Sequence, residues 1–264
     1  MKIAFFDIDG TLINVPAGMM KPSMETITCL KAFQEAGNKV IIASARACMP
    51  EALQVLHPDG FIGVDGHYIV YQGEVLLNDL FTPEEISLQE KVCHKYHGAF
   101  EMNGPHDQYF SDIENPMIWK HEELYSGGMH LPMDYDINRK PESYEVNVIT
   151  ALFETAQDLH AAMKELPAEW AINAYDTGHI RMDIHKPGHS KGSACVFVAD
   201  RLGVASEETY AFGDGLNDIE MLSLCGHGVA MGNASEEVKA HADVVTKSVN
   251  EEGVAFYLWQ IMKN

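Results

Sequence analysis

Two aspartates near the start of the chain, Asp7 and Asp9, stand two positions apart where an apolar run ends, in the stretch FFDIDGTLIN. If the predicted strand persists through them, both carboxylates point to the same side and repel one another. A divalent cation relieves that repulsion, and a third carboxylate, Asp214, completes a set of hard oxygen ligands suited to Mg²⁺. Carboxylates beside a cation can act as nucleophiles or carry protons, so the pattern indicates metal-assisted chemistry.

Other polar side chains follow predicted strands or open predicted helices. They are Ser44, Ala45 and Arg46 after the strand VIIA, Asp214, Asn217 and Asp218 after the strand TYAF, and Lys191 at the start of a helix. In open α/β sheets, ligands bind beyond the carboxyl ends of the strands. We therefore expect these residues to converge with Asp7 and Asp9 on one rim of the sheet.

The elements that would position these residues alternate between strand and helix up to residue 81 and again from residue 185. Such alternation is typical of βαβ units and a parallel sheet, so the predicted fold class is α/β. Residues 82–184 have a different pattern, an α+β unit with antiparallel strands. One strand is predicted from Tyr144 to Phe153, whereas the polar stretch 112–141 shows too little periodicity for any element.

Composition limits the classes of partner. The chain has 264 residues and a formal net charge of −21, which argues against binding duplex nucleic acid or a polybasic contact with a membrane. An acidic protein also repels anionic substrates at long range, so a phosphate-bearing ligand would need a metal or a placed lysine. The sequence leaves the oligomeric state open.

The five cysteines are scattered and form no CxxC pair, so neither a disulfide framework nor a zinc ribbon is expected. We expect a reducing compartment. The start, MKIAFFDIDG, contains acids and does not match a secretory signal. No apolar run approaches the ~18 residues of a membrane span. The expected location is the cytoplasm.

Four stretches resemble the motifs of the haloacid dehalogenase (HAD) superfamily, in order along the chain: FFDIDGTL, IIASAR, HSKGSA and AFGDGLNDIEML. VAMGNASEEVKAHADVVT and NEEGVA resemble the last segments of the Cof-type phosphatase branch. The resemblance implies a Rossmann-like, doubly wound core formed by residues 1–81 and 185–264. It also implies that residues 82–184 form an α/β cap, inserted between the second and third motifs, which determines substrate specificity.

The resemblance also implies a role for each motif residue. Asp7 is the nucleophile that forms an aspartyl-phosphate, and Asp9 protonates the leaving alcohol and then activates water. Mg²⁺ binds the side chains of Asp7 and Asp214 and the backbone carbonyl of Asp9. The remaining implied roles are support of the metal site by Asp218, charge compensation by Lys191, and phosphate or substrate binding by Gly10, Ser44, Ala45, Arg46, Lys191 and Asn217.

Two motifs depart from the family pattern. The second motif reads Ser44-Ala45-Arg46 where Thr-Gly-Arg is usual. Serine keeps the hydroxyl, but alanine is less free than glycine at a tight turn. After the third strand the chain has Asp65-Gly66-His67 where the family often has Asn-Gly-Ala. This leaves two alternatives for His67, a contact that alters specificity or a surface position in a loop.

Two further sites are weaker predictions. His94 and His97 have a spacing that can bind a metal, but a solvated helix face is the preferred interpretation. Arg181, on the polar side of an alternating strand, could contact substrate in the cap or face solvent.

The predicted function is Mg²⁺-dependent hydrolysis of small phosphorylated metabolites. Hexose phosphates come first, and pyridoxal phosphate or a nucleotide-derived phosphate come next. Two alternatives remain open. One is a phosphotransferase or phosphomutase with the same aspartyl-phosphate chemistry, and the other is a non-catalytic binding module on this fold. Asp9 favours hydrolysis, because a binding module has no need of an acid-base residue.

Overall fold

A computed structural model describes residues 1–125, 136 and 138–263, with only the backbone described at Tyr125. The chain divides into two compact units. Unit 1 consists of Met1–Asn78 and His189–Asn264, and unit 2 of Asp79–Gly188. The sequence-based division has its boundaries after residue 81 and before residue 185, within a few residues of these limits.

Unit 1 contains an eight-stranded sheet in the order β13-β12-β11-β1-β2-β3-β4-β5. The strands are β1 Ile3–Phe6, β2 Lys39–Ala43, β3 Gly60–Gly63, β4 Tyr68–Tyr71, β5 Glu74–Asn78, β11 Thr209–Gly213, β12 His227–Ala230 and β13 Val244–Val245. The six strands from β13 to β3 are parallel. Strands β4 and β5 extend the sheet as an antiparallel hairpin. The predicted parallel α/β sheet is confirmed.

Helices cover both faces of this sheet. They are α1 Met24–Glu35, α5 Lys191–Arg201, α6 Ile219–Leu224, α7 Glu236–Lys239 and α8 Gly253–Lys263. Side chains alternate across a strand, so Phe6 of β1 lies in the apolar cluster that includes Leu30 of α1 and Leu258 of α8. Its neighbour Phe5 lies in the opposite cluster, with Val198 of α5. Burial on both faces explains the continuous apolar run of β1.

Unit 2 contains a five-stranded antiparallel sheet in the order β7-β6-β8-β10-β9. Its strands are β6 Ala99–Asn103, β7 Gln108–Phe110, β8 Val148–Leu152, β9 Ala171–Tyr175 and β10 Arg181–His185, and its helices are α2 Pro83–Lys95, α3 Pro116–Tyr125 and α4 Ala156–Met163. One face packs its apolar side chains against α2 and α4. Among the helices of the described residues, none combines the length and apolar character needed to cross a bilayer.

The structure corrects three details of the sequence-based elements. Strand β1 ends at Phe6, before the two aspartates. The predicted strand from Tyr144 to Phe153 is shorter, because a 3₁₀ turn at Pro141–Ser143 precedes Tyr144 and the strand pairing begins at Val148. Helix α3 lies in the stretch 112–141, for which no element was predicted. The part of that stretch at 126–135 and 137 lies outside the described residues.

Helix α3 was missed because its buried face is largely polar. Ile118, His121 and Glu122 lie three and four residues apart, so they share one face, and all three are buried. Only Ile118 of these carries an apolar signal that periodicity can detect. The start of the helix is marked by Asn115, whose side-chain oxygen accepts a hydrogen bond from the Met117 amide.

Candidate active site

Asp7 follows β1 directly and lies at the centre of a buried ionic group. Its backbone amide donates to the carbonyl of Phe212 at 3.0 Å, which continues the pairing of β1 with β11. Its side chain is buried, and the residue is 6% exposed. The Lys191 Nζ donates to Asp7 Oδ1 at 2.6 Å and to Asp218 Oδ1 at 2.7 Å. One lysine therefore joins two acids from loops that are far apart in the sequence.

Helix α5 fixes the position of Lys191. The helix begins at Lys191, and Ser190 caps it, because its hydroxyl accepts a hydrogen bond from the Ser193 amide. The lysine side chain is fully buried. Burial alone would lower the pKa of Lys191, but the charges of Asp7 and Asp218 raise it above the ordinary lysine value. The ammonium group therefore keeps its charge inside the protein.

Asp218 uses both carboxylate oxygens within the protein. Oδ1 accepts from Lys191, and Oδ2 accepts from the backbone amides of Asp214 at 2.9 Å and Gly215 at 2.8 Å. The two amides belong to the turn that follows β11. Asp218 thus holds the shape of this turn and the position of Lys191 at the same time.

Asp214 lies at the end of β11 and is oriented by two polar side chains. Thr11 Oγ1 donates to Asp214 Oδ1 at 3.1 Å, and Asn233 Nδ2 donates to Asp214 Oδ2 at 3.0 Å. The same Asn233 nitrogen lies 2.9 Å from the carbonyl oxygen of Gly10, and Asn233 Oδ1 accepts from the Val249 amide. Asn233 therefore links the loop after β1 to the loop after β11.

Gly10 allows the close approach of these two loops. Its φ is +96°, a conformation that strongly favours glycine. A Cβ atom at this position would lie 2.1 Å from Asp214 Oδ2, far inside van der Waals contact. The glycine of the DGT stretch is thus required both by the turn and by the position of Asp214.

Asp9 lies outside the buried group. Because β1 ends at Phe6, the alternation of a strand does not extend to the two aspartates, and Asp9 faces outward with 47% of its side chain exposed. Its carboxylate accepts two hydrogen bonds from Arg46, at 2.8 Å from Nε and 2.9 Å from Nη2. The expectation that both acids point to the same side is therefore wrong.

The turn after β2 brings its predicted residues to the same edge. Ser44 is buried, its amide donates to the Ile62 carbonyl at 2.8 Å, and its Oγ accepts from the Arg46 amide at 3.1 Å. Ala45 between them is exposed. The turn keeps the Ser44 hydroxyl inside and aims the Arg46 guanidinium at Asp9.

The 3₁₀ turn after β3 contributes a contact that the sequence motifs do not assign. Asp65 has a left-handed backbone with φ +47°, and its Oδ1 accepts a hydrogen bond from Asn217 Nδ2 at 3.0 Å. His67 is buried rather than on the surface, and its Nδ1 lies 2.7 Å from the carbonyl oxygen of Val64. The surface interpretation of His67 is therefore wrong.

The described side chains of this site carry more negative than positive charge. Burial, together with the charges of Asp218 and Asp214, raises the pKa of Asp7 to about 8, although Lys191 acts in the opposite direction. Burial and Asp218 likewise raise the pKa of Asp214 to about 6, against the effect of the Thr11 hydrogen bond. Among the described residues, three carboxyls compete for one lysine, so at least one carboxylate there lacks a compensating charge.

The residues present fit a divalent cation. Asp7, Asp214 and Asp218 each offer a carboxylate oxygen, and these oxygens lie within 4.8 Å of one another. An all-oxygen, carboxylate-rich donor set is the type that Mg²⁺ prefers. The excess negative charge of the buried acids attracts such a cation electrostatically.

Two residues of this group, Thr11 and Asn233, were not predicted as site residues. Thr11 belongs to the DGT stretch, so its closeness to Asp7 was visible in the sequence. Asn233 follows β12 in the stretch VAMGNA, and its hydrogen bonds to the other loops depend on the tertiary fold.

The weaker sequence predictions have definite positions in unit 2. His94 and His97 are both exposed, and His97 lies beyond the end of α2, so the two do not share a helix face. Arg181 is not solvent-facing, since only 13% of its side chain is exposed. Its guanidinium lies 3.8 Å from the centre of the Tyr175 ring and 3.5 Å from Asp183 Oδ2.

Known proteins resemble this chain along almost its whole length. The family model of haloacid dehalogenase-like hydrolases matches residues 4–258. A Bacillus subtilis (strain 168) protein named "Putative phosphatase YkrA" is 32% identical, over 97% of this chain and 95% of that protein. Pyridoxal phosphate phosphatase YbhA of Escherichia coli (strain K12) is 28% identical, over 98% of this chain and 97% of that protein.

A solved structure gives the same result. The HAD subclass IIB sugar phosphatase BT4131 superposes with a TM-score of 0.80 at 28% identity, over 99% of both chains. The chain belongs to the haloacid dehalogenase-like hydrolases. It is a phosphatase of that family, and the predicted resemblance to the Cof-type branch is confirmed. Phosphatases of this family generally use a divalent metal and act on small phosphorylated substrates.

Proposed function

We propose that this phosphatase hydrolyses phosphate monoesters of small metabolites, with sugar phosphates as the first substrate class, through a phosphorylated Asp7 and with Mg²⁺. The observation that carries the proposal is the buried group in which Lys191 binds Asp7 at 2.6 Å while Asp214 and Asp218 approach within 4.8 Å. A buried carboxylate with a fixed lysine and two further acids is suited to nucleophilic attack beside a cation.

In the first half of the reaction, Asp7 attacks the phosphorus atom and the bond from phosphorus to the substrate oxygen breaks. Asp9 gives its proton to that leaving oxygen. In the second half, water attacks the phosphorus atom, Asp9 takes up a proton from it, and the bond to Asp7 breaks to release phosphate. Lys191 compensates the charge of Asp7 and of the transferring phosphoryl group.

When bound, Mg²⁺ would offset the repulsion between Asp7 and the phosphate and favour the ionised nucleophile. Asp7 Oδ2 and the Asp214 carboxylate are the ligands we assign to it, with the Asp9 carbonyl as the third. Asp218 supports this site from behind, because Lys191 and two amides already bind its two oxygens. Asp218 was predicted among the metal residues, and we assign it the role of a positioning residue.

Arg46 binds the side chain of the acid-base residue Asp9. In the free protein Arg46 holds the Asp9 carboxylate by two hydrogen bonds. A phosphate dianion competes with Asp9 for the guanidinium group, since arginine binds phosphate in the same bidentate manner. We infer that substrate binding releases Asp9 from Arg46 and allows it to hold the proton that the leaving group needs.

The other predicted contacts complete the phosphate site. Ser44 supplies a hydroxyl, Gly10 supplies a turn without a side chain, and Asn217 stands at the outer edge, next to Asp65. Sugar phosphates come first because the similar protein BT4131 is named a sugar phosphatase. Pyridoxal phosphate comes second because of the name of YbhA. That residues 82–184 form the cap that selects the substrate, and that the enzyme works in the cytoplasm, remain predictions.

The test is phosphate release from a panel of phosphorylated metabolites, with and without Mg²⁺, by the wild-type protein and by Asp7→Asn. We expect Mg²⁺-dependent release by the wild type and none by the variant, which is nearly isosteric and should fold. Asp200→Asn, an exposed aspartate on α5 of the same unit, is the matched control and should keep full activity.

Three outcomes would contradict the proposal. Mg²⁺-dependent release that persists in Asp7→Asn excludes Asp7 as the nucleophile. Transfer of phosphate to an added sugar without release of free phosphate supports the phosphotransferase alternative, and a panel without any turnover supports a binding module.

A further inference from the structure

Unit 2 contains a second buried group of ionisable side chains. Glu101 lies on β6 between Phe100 and Met102, which point into the apolar core on the other face of the sheet. His121 and Glu122 lie on α3. The three residues are 5%, 7% and 4% exposed, respectively. The group therefore lies at the contact between α3 and the polar face of the sheet, within one compact unit.

The three side chains converge on one point. Each offers a ligand atom, and these atoms lie within 4.8 Å of one another. The distance from His121 Nε2 to Glu101 Oε1 is 3.7 Å. Glu101 Oε1 accepts a hydrogen bond from Asn103 Nδ2 at 2.8 Å, whereas no described group donates to the buried Oε2. The Glu122 carboxyl lies within hydrogen-bond reach of Glu101, but two carboxyl groups bond to one another only if they share a proton. Two buried carboxyl groups this close together need a proton or a cation between them.

The two carboxyl groups also have an unfavourable electrostatic position. Burial and the neighbouring Glu122 raise the pKa of Glu101 to about 8, and Asp183 on β10 acts in the same direction. Burial, His179 and Arg181 lower the pKa of His121 to about 4, so its imidazole is neutral at neutral pH. A neutral imidazole keeps a lone pair, which is the form that binds a metal ion.

His179 orients the imidazole ring of His121. The distance between His121 Nδ1 and His179 Nε2 is 3.0 Å. If Nδ1 of His121 carries the proton and donates a hydrogen bond to His179, then Nε2, the nitrogen nearer Glu101, is the unprotonated one. A hydrogen bond to the other ring nitrogen is the usual support of a histidine that ligates a metal.

We propose that Glu101, His121 and Glu122 bind one divalent transition-metal ion, such as Zn²⁺ or Mn²⁺. Two carboxylates and one imidazole are a donor set for these ions, whereas Mg²⁺ and Ca²⁺ prefer oxygen alone. Metal–ligand bonds of about 2.0–2.2 Å require the three ligand atoms to move somewhat closer together. The ion would join α3 to β6, and its chemistry is separate from the phosphatase site of unit 1.

Metal analysis of the full chain tests the proposal. The protein is stripped of metal, kept in excess Mg²⁺ so that the carboxylates of unit 1 are occupied, supplied with Zn²⁺ or Mn²⁺, and passed through a desalting column. We expect the wild type to retain one transition-metal ion per chain. Glu101→Gln and His121→Gln should each lose it, because each removes one ligand.

Matched controls are Glu169→Gln and His160→Gln, the same substitutions at exposed positions of unit 2, and both should retain the ion. Circular dichroism checks that each variant is folded. A second measurement needs no variant: with Co²⁺ in place of Zn²⁺, the visible absorption of the wild type should show imidazole ligation. The metal should also raise the melting temperature of the wild type and leave that of Glu101→Gln unchanged.

Either of two results would overturn the proposal. If the wild type retains no transition metal in the presence of Mg²⁺, the two glutamates share a proton instead of an ion. If both variants retain the ion as well as the controls do, the ion binds elsewhere.

Discussion

Both units bury a group of acids, but they compensate the charge in different ways. In unit 1, Lys191 binds Asp7 and Asp218, and two backbone amides bind the second oxygen of Asp218. In unit 2, Glu101 and Glu122 lie beside His121, whose pKa burial lowers to about 4, and no described group donates to one Glu101 oxygen. The comparison indicates that Lys191 offsets part of the negative charge of the buried acids in unit 1, whereas the second group relies on taking up a proton or a metal ion.

The largest expected effect is that of Lys191→Met. The substitution keeps the apolar stem but leaves Asp7 and Asp218 buried without their counter-charge. Removing one partner of a buried ion pair costs about 3–5 kcal/mol, so we expect a loss of that order in the free energy of unfolding and no phosphatase activity. Urea unfolding followed by circular dichroism measures the first, and phosphate release the second.

Lys39→Met is the matched control for this substitution. Lys39 binds Asp59 at 2.8 Å in a partly exposed pair, so its loss should cost at most about 1 kcal/mol and leave activity intact. A similar, small loss in both variants would show that Asp7 and Asp218 are neutralised in some other way.

Gly10→Ala tests whether the acids of unit 1 are placed by close packing. The new Cβ would lie 2.1 Å from Asp214 Oδ2. The alanine would also have to adopt the positive φ of this turn. We expect a loss of about 1–3 kcal/mol in stability and a large loss of turnover, because Asp214 must move. Unfolding and kinetic measurements on the same preparation separate the two effects.

Gly18→Ala provides the comparison, because it has a φ of +78° and open space around the added Cβ. It should show the backbone strain alone and keep its turnover. Equal loss of turnover in both variants would mean that contact with Asp214 is unimportant.

The buried acids of unit 1 and those of unit 2 should both make the stability of the protein depend on pH. Asp7 and Glu101 have pKa values raised to about 8 in the folded, metal-free protein. At pH values between the pKa of about 4 in the unfolded state and the pKa in the folded state, the folded state binds more protons than the unfolded state. Stability from these groups is therefore fully present at low pH and is lost as the pH rises through about 8.

We expect the free energy of unfolding of the metal-free protein to fall between about pH 4 and about pH 8. Asp7→Asn and Glu101→Gln should each remove part of this slope, and together they should remove more. Urea unfolding at the two pH values measures it. If the slope of the unfolding free energy against pH is unchanged in both variants, the pH dependence comes from other residues.

The smallest expected effect is that of Glu101→Gln on the metal-free protein at neutral pH. Since the Glu101 carboxyl has a pKa of about 8, it is mostly protonated there, and glutamine has a similar shape. The free energy of unfolding should change by less than about 1 kcal/mol. A loss as large as that of Lys191→Met would mean that the second group is a compensated ionic site like the first.

Much of the core site could be predicted from residue types and spacing. The ends of parallel strands lie at one edge of a sheet, so strand assignments alone bring Asp7, Asp214 and the Ser44 turn together. The side-chain direction of Asp9 was predicted wrongly, because the strand was assumed to continue past Phe6 through both aspartates. A strand end is decided by pairing partners rather than by local pattern. Asn233 could not be found, because its hydrogen bonds join loops that only the tertiary fold brings close.

The group of Glu101, His121 and Glu122 could not be predicted from the sequence, because its residues are polar and resemble exposed positions. His121 and Glu122 look like the exposed side of a helix, and their burial depends on how α3 packs against β6. Glu101 alternates with apolar neighbours in β6, which is also the pattern of a strand with one solvent-exposed face.

The position of β1 between β2 and β11 has a consequence for synthesis on the ribosome. Asp7 and Lys191 are separated by 184 positions, so the nascent chain must carry β1 with one edge unpaired until all of unit 2 has been made. Unit 2 is continuous in sequence and can fold first. In pulse-labelled hydrogen exchange during refolding, we expect the amides of β8 to gain protection before those of β1.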